Sequence, residues 1–237
     1  MFTFLDTVTS TNDEALKECY HHGDIVSAEY QTAGRGQRGN RWQSDASLNL
    51  MFSAVLEPVR LECRNQFVLL ETVALSLYDT FEHYGIHSTI KWTNDIYVGD
   101  RKITGVLIEQ SVSDGNIAKS IAGIGINVNQ TEFDKSLPNP TSMALECGKK
   151  FDRREVLGVF GNCLMNRYAV LEQGERESIH AEYVSRMYRL GRCAEFALPD
   201  GTRFHGTILR AEPSGDLVIQ TDGGVRKFLF KEITFIL

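Results

Sequence analysis

The chain has 237 residues, 42% of them hydrophobic and 24% charged, with a formal net charge of −6. That length can bury a sizeable core in one or two domains, and the composition is that of an ordinary globular protein. The acidic balance gives no global attraction for nucleic acid or for an anionic membrane, so any anion site has to be local.

Five scattered cysteines, odd in number and without a CxxC, argue against a disulfide framework or a structural zinc site, and most read as small buried hydrophobes. No basic leader opens the chain. The most apolar stretch, 67–81, is interrupted by Glu71 and Asp79 and is too short to span a bilayer. A cytoplasmic protein is the economical reading.

Phe2-Thr3-Phe4-Leu5 reads as a short strand. Ser10, Thr11 and Asn12 offer helix caps, and Thr11 with Glu14 has capping-box spacing, which predicts a helix from Asn12 to His22 stopped by Gly23. Capping alone explains these three residues, but a helix start also presents free N–H groups to a ligand. Residues 24–30 form a strand that feeds Gln31 into Gly34-Arg35-Gly36-Gln37-Arg38-Gly39-Asn40-Arg41-Trp42. Glycines let backbone amides approach an anion, and arginines add forked donors. A basic surface turn is the plain alternative. No helix follows this loop, because residues 48–56 alternate like a strand. The pattern is therefore neither a Rossmann fingerprint nor a Walker A loop.

Residues 65–84 have helical periodicity (Phe67, Leu70, Val73, Leu77, Phe81) and read as a core helix without chemistry of its own. Lys91-Trp92-Thr93-Asn94-Asp95 then lies between two short strands, and a third strand carries Lys102. Regular alternation puts Lys102 and Thr104 on one face and Ile103 and Gly105 on the other. Lysines on adjacent strands around an Asn-Asp pair suit phosphate chemistry, though a lysine is ordinarily a solvated surface residue. After a turn at 113–116, a strand over 117–129 carries Gly123 and Gly125, which signals close approach of a ligand or of another backbone, with a bulge or tight helix–sheet packing as the plain alternative. At a sheet edge this strand could pair with a second copy and give a homodimer. Residues 133–140 are an irregular connection, 141–145 a short helical turn, and helices follow over 153–173 and 175–188. From 189 the pattern changes to short strands and tight turns, a small β module. The expected division is 1–188 and 189–237.

Five motifs stand in an order that closely resembles the biotin protein ligases, also called biotin–[acetyl-CoA-carboxylase] ligases. They are Ser10-Thr11-Asn12, Gln31 with the Gly34–Trp42 loop, Lys91-Trp92-Thr93-Asn94-Asp95, Arg101-Lys102-Ile103-Thr104-Gly105 and Gly123-Ile124-Gly125-Ile126-Asn127. The resemblance spans nearly the whole chain. It implies an α+β fold: a mixed β-sheet with flanking helices, like the class II synthetases and lipoate ligases, and a small C-terminal SH3-like β-barrel. It implies ATP and Mg2+ as cofactors, biotin as substrate, and a biotin carboxyl carrier domain as partner. Biotin and ATP would give biotinyl-5′-AMP, from which a carrier lysine takes the biotinyl group.

Carried over by motif, Ser10, Thr11, Asn12, Gln31, Arg35, Gly36, Gln37, Lys102 and Gly105 would contact biotin. Arg38, Trp42, Lys91, Asn94 and Asn127 would contact ATP or the adenylate. Lys102, Arg35 and Asp95 would carry the chemistry, with Mg2+ held mainly by the ATP phosphates. The family loop often has arginines where Gln37 and Asn40 stand, which leaves open the division of phosphate contacts among Arg35, Arg38 and Arg41. Some members also carry an N-terminal DNA-binding domain; here the first motif begins at residue 10, so a ligase without nucleic-acid or membrane binding is expected. The alternatives are a lipoate or octanoyl ligase, whose usual Arg-Arg-x-x-Gly-Gly-Gly stretch is absent, and a non-catalytic biotin-binding adaptor.

Overall fold

The computed structural model describes residues 1–36 and 47–236. Seven strands form one mixed sheet: β1 (Phe2–Val8), β2 (Ile25–Gln31), β3 (Leu50–Leu56), β4 (Thr89–Lys91), β5 (Asp95–Val98), β6 (Arg101–Ser113) and β7 (Asn116–Ile126). Their spatial order is β1-β2-β3-β7-β6-β5-β4, with β1 parallel to β2 and every other pair antiparallel. The glycine-bearing strand β7 thus lies inside the sheet between β3 and β6, not at an edge. Its backbone groups are already paired on both sides, so a second copy joining this sheet would have to use β1 or β4.

Cross-strand partners share a face, so the register sorts the side chains. Phe52, Ala54, Ile124 and Ile126 belong to the face covered by the long helices α2 (Phe67–His83) and α4 (Arg153–Glu172). The Phe52 and Phe160 rings lie 5.0 Å apart across that interface. The other face carries Met51, Ser53, Val55, Gly123 and Gly125, and α1 (Thr11–Ala15) with the turns after it packs over part of it through Ala15, Tyr20, Val55 and Ile121; the short α3 (Met143–Cys147), capped by Ser142, precedes α4.

Helix α1 is shorter than the expected 12–22. Its cap is Ser10, whose Oγ accepts from the Asn12 N–H at 3.2 Å, rather than Thr11. The Lys119 ammonium reaches over from β7 and donates to the Lys17 and Tyr20 carbonyls at 3.3 and 2.7 Å. Beyond Ala15 the chain continues in tight turns, with the Lys17 N–H on the Glu14 carbonyl and the Tyr20 N–H on that of Lys17, and Lys119 satisfies carbonyls that a longer helix would have paired internally. The cysteines also depart from expectation, since none is buried. Cys19 falls in the unwound turn and Cys193 opens a strand, both exposed.

The C-terminal strands β8 (Cys193–Ala197), β9 (Arg203–Ala211), β10 (Leu217–Thr221), β11 (Gly224–Phe228) and β12 (Thr234–Phe235) form a separate antiparallel sheet, ordered β11-β10-β9-β8-β12, of the SH3-like kind. Phe204 stacks on Phe196 and Phe228 within it, and Phe235 meets Phe196 edge-on. It joins the main core through α5 (Arg176–Ser185) and Tyr188, whose ring lies 5.4 Å from Tyr97 and 6.3 Å from Phe235. Among the described residues no helix is long and apolar enough to cross a membrane.

Candidate functional site

Beyond α1, the same face of the sheet is floored largely by small residues. Gly105 of β6 pairs with Gly125 of β7 and Gly125 with Met51 of β3; the next row is Leu107, Gly123 and Ser53. Removing side chains from a strand makes a low trough in which a flat ligand can lie.

A buried polar network closes one end. Ser10, Thr11 and Asn12 are each at most 4% exposed. Ser53 Oγ donates to Asn12 Oδ1 at 2.6 Å and lies 2.8 Å from Thr11 Oγ1. Gln31 Oε1 accepts from the Thr11 N–H at 2.8 Å, and Asn12 Nδ2 donates to Glu109 Oε2 at 2.6 Å. A built position for Gly123 explains its glycine: a Cβ there would sit 2.3 Å from Asn12 Oδ1. The close approach signalled by that glycine is therefore made by the helix-start asparagine.

Arg35 is at this same end. Its guanidinium makes a two-pronged pair with Asp13 (2.9 and 2.7 Å) and reaches Glu109 at 3.0 Å. These hydrogen bonds, Asp13 first and then Glu109, raise its already high pKa and keep it charged.

Lys102 and Asp95 mark the other end, with Nζ and Oδ1 2.8 Å apart. The expected face assignment of Lys102 fails because β6 carries a bulge. Ile96 pairs with Thr104 but Tyr97 with Lys102, so Ile103 is an extra residue. Ile103 and Thr104 are both buried, while Lys102 moves to the face of Tyr97, Asp95 and Gly105. The bulge is what aims the lysine along the trough. Lys102 and Glu109, the acid that Arg35 reaches, lie at separate positions on β6 with backbones on the order of 20 Å apart, so the Arg35 guanidinium is tied to the Asn12 end in this arrangement.

The remaining residues fall around the Lys102 end. Lys91 pairs in register with Asp95, and its ammonium lies 5.0 Å from the Tyr97 ring centre and 5.1 Å from that of Phe235. Asn94 is buried, receives the Thr93 hydroxyl at 3.1 Å and donates to the Val106 carbonyl. Asn127 follows β7; its Nδ2 donates to the Thr141 carbonyl at 2.9 Å. The 139–141 segment in turn exchanges backbone bonds with Lys102, at 2.8 and 2.9 Å. Gly36 is described, whereas Gln37, Arg38, Arg41 and Trp42 lie outside the described residues.

Sequence reasoning passed over Ser53, Asp13 and Glu109. Ser53 had a usable signal, as the one hydroxyl in the apolar run Leu-Met-Phe-Ser-Ala-Val-Leu. The carboxylates had none, because acidic residues on a surface helix and a strand end are commonplace. Among the described residues no cluster of three His, Cys, Asp or Glu side chains could hold a metal. A magnesium ion carried by a triphosphate needs only one or two protein oxygens, and Asp95 and Asn94 are of the right kind.

Comparisons with known proteins bear on family and fold. Residues 2–127 match the model of the Biotin/lipoate A/B protein ligase family. The bifunctional ligase/repressor BirA of Bacillus subtilis is 30% identical, over 97% of this chain and 71% of its own length. The biotin–[acetyl-CoA-carboxylase] ligase of Paracoccus denitrificans is 28% identical, over 95% of this chain and 97% of its own. The biotin protein ligase of Aquifex aeolicus, solved in complex with biotin and ATP, superposes with a TM-score of 0.79 at 28% identity, covering 99% of this chain and 98% of that one. With a family model matching more than half its length and a relative 30% identical over 97% of it, the chain belongs to the biotin/lipoate protein ligase family.

Proposed function

We propose that the protein is a biotin protein ligase that joins biotin to a lysine of a biotin carboxyl carrier domain at the expense of ATP. The observation that carries this reading is the glycine-floored stretch of sheet, with a hydrogen-bonding end at Thr11, Asn12, Gln31 and Ser53 and a cationic end at Lys102. Biotin has the matching polarity: a neutral ureido ring at one end and a carboxylate at the other. The ring would meet the helix start, its flat body would lie over Gly105 and Gly125, and its carboxylate would reach Lys102.

In the first step a biotin carboxylate oxygen attacks the α-phosphorus of ATP, and the bond to the bridging oxygen breaks, releasing pyrophosphate. Two anions must meet, so fixed positive charge at that point is the main requirement. Lys102 supplies it, oriented by Asp95, and Lys91 adds to the local potential. Mg2+, held chiefly by the phosphates with help from Asp95 and Asn94, would neutralise charge on the leaving group. In the second step a neutral carrier lysine amine attacks the acyl carbon, AMP departs, and an amide remains. This step asks mostly for proximity and orientation.

Arg35 and Gly36, with Gln37, Arg38 and Trp42 outside the described residues, belong to the loop assigned to biotin and adenylate. From its position Arg35 serves the biotin end, where it fixes Asp13 and Glu109 and, through Glu109, Asn12. Asn127 serves the adenylate end through Thr141. We assign catalysis to residues 1–188, place the β module at 189–237, and place the protein in the cytoplasm. Biotin-dependent release of pyrophosphate from ATP tests the reading; release driven equally well by lipoate or octanoate would favour the lipoate-ligase alternative.

A further inference from the structure

The Lys91–Asp95 corner is held from outside the main sheet, by the C-terminal module. Trp92 is 6% exposed, and its indole Nε1 donates to the Gly215 carbonyl at 2.9 Å. Gly215 sits in the tight turn between β9 and β10, closed by the Gly215 N–H to the Glu212 carbonyl and the Glu212 N–H to the Asp216 carbonyl, both 2.8 Å. The turn has almost no freedom to move. Gly215 has a φ of +96°, and a Cβ on it would lie 2.8 Å from the Phe67 ring. Phe67 makes an edge contact with Tyr183 of α5 at 5.6 Å, and the buried Tyr183 hydroxyl donates to the Thr93 carbonyl at 2.8 Å. The module therefore grips Trp92, and α5 grips Thr93. The next two residues are Asn94, whose amide binds the Val106 carbonyl of β6, and Asp95, which holds Lys102.

We propose that the Glu212–Asp216 turn is a positioning element for adenylate formation, acting through Trp92 on Asn94 and Asp95. The inference rests on the ligase reading and adds a task for the β module within it. Trp92 and Gly215 are positioning residues: they fix the corner that orients Lys102, while the biotin end at Thr11, Asn12 and Ser53 has its own supports.

The test is the Trp92→Phe variant of the full chain, which keeps the ring and removes the N–H. Single-turnover adenylate formation is expected to slow about tenfold, a change of about 1.4 kcal/mol in barrier, while the Kd for biotin stays within about twofold. A merely structural bond would lower thermal stability and leave the rate of the folded molecules unchanged, and that outcome overturns the proposal. Equal loss of biotin affinity and rate overturns it too. Gly215→Ala, which moves the same turn, gives a second arm. Because the added methyl also crowds Phe67, which leads through Tyr183 to Thr93, this variant should slow adenylation at least as much as Trp92→Phe; a parental rate overturns the proposal. A parent protein that forms no adenylate at all would instead refute the ligase reading, so the two failures are distinguishable.

Discussion

Replacing Gly123 by alanine should damage the biotin end of the site without touching any residue assigned to chemistry. The added Cβ would lie 2.3 Å from Asn12 Oδ1, 2.9 Å from its Cγ and 3.0 Å from its Nδ2. Ordinary contact begins near 3.4 Å, so the carboxamide must retreat by about 1 Å. It cannot do so freely, because Asn12 is 3% exposed and lies in the capped first turn of α1. Moving it breaks the bond from Ser53, worth about 1 kcal/mol, and the bond to the Glu109 carboxylate, worth about 1.5–3 kcal/mol when fully buried. Glu109 is partly exposed, and water returns some of the second term. The variant should lose about 2–3 kcal/mol, or about 5–10 °C in Tm for a chain of this size. Misplacing Asn12 should also weaken biotin by about ten- to thirtyfold, which isothermal calorimetry would read. Gly158→Ala is the control. It lies in α4, a Cβ there meets nothing within 4 Å, and helix propensity should make it neutral or stabilising by up to about 1 kcal/mol. If Gly123→Ala matched the parent in both Tm and biotin Kd, the account of the trough and its asparagine would be wrong.

The Lys102→Ala variant should cut biotin-dependent pyrophosphate release by orders of magnitude while the fold survives, because the partly exposed pair with Asp95 contributes at most about 1 kcal/mol to stability; near-normal release would remove Lys102 from its role. Arg35→Gly should release Glu109 and weaken biotin with little change in Tm, read by the same calorimetry, and an unchanged Kd would refute the placement of Arg35 at the biotin end. Stability should also fall on the alkaline side. His180 donates to or accepts from the buried Glu71 carboxyl at 2.6 Å; that hydrogen bond, aided by the Ala211 carbonyl and Glu212, raises its pKa, while burial raises that of Glu71. The raised His180 value therefore contributes stability that is full below about pH 6.5 and is lost as pH rises through the raised value, whereas the raised Glu71 value acts lower, full below about pH 4.5 and lost above it. Glu71→Gln should flatten that part of the pH–Tm curve, and a parallel curve would contradict the assignment.

Much of this was legible in the sequence. Turn chemistry and periodicity mark the strands around Lys102, the α2 and α4 helices and the change of pattern near 189, since these signals are local. What escaped depends on partners far along the chain. The turns after α1 are tied to Lys119 on another strand. The turn of Lys102 onto the trough comes from a one-residue bulge, which leaves no mark in the alternation of Lys-Ile-Thr-Gly. The interior place of β7 depends on sheet order, and Gly123 alone could not say whether a ligand or Asn12 occupied the space above it. Trp92 stood in a recognised motif, yet its hydrogen bond to Gly215 joins residues more than a hundred positions apart.

The central claim is that the trough activates biotin and hands it to a protein lysine. Its most direct test incubates the protein with ATP, Mg2+, biotin and a biotin carboxyl carrier domain, and reads the carrier by intact-mass spectrometry. The account predicts one added biotinyl group, dependent on ATP and abolished both by Lys102→Ala and by replacing the carrier's acceptor lysine with arginine. An unmodified competent carrier, or addition that persists without ATP, would contradict it.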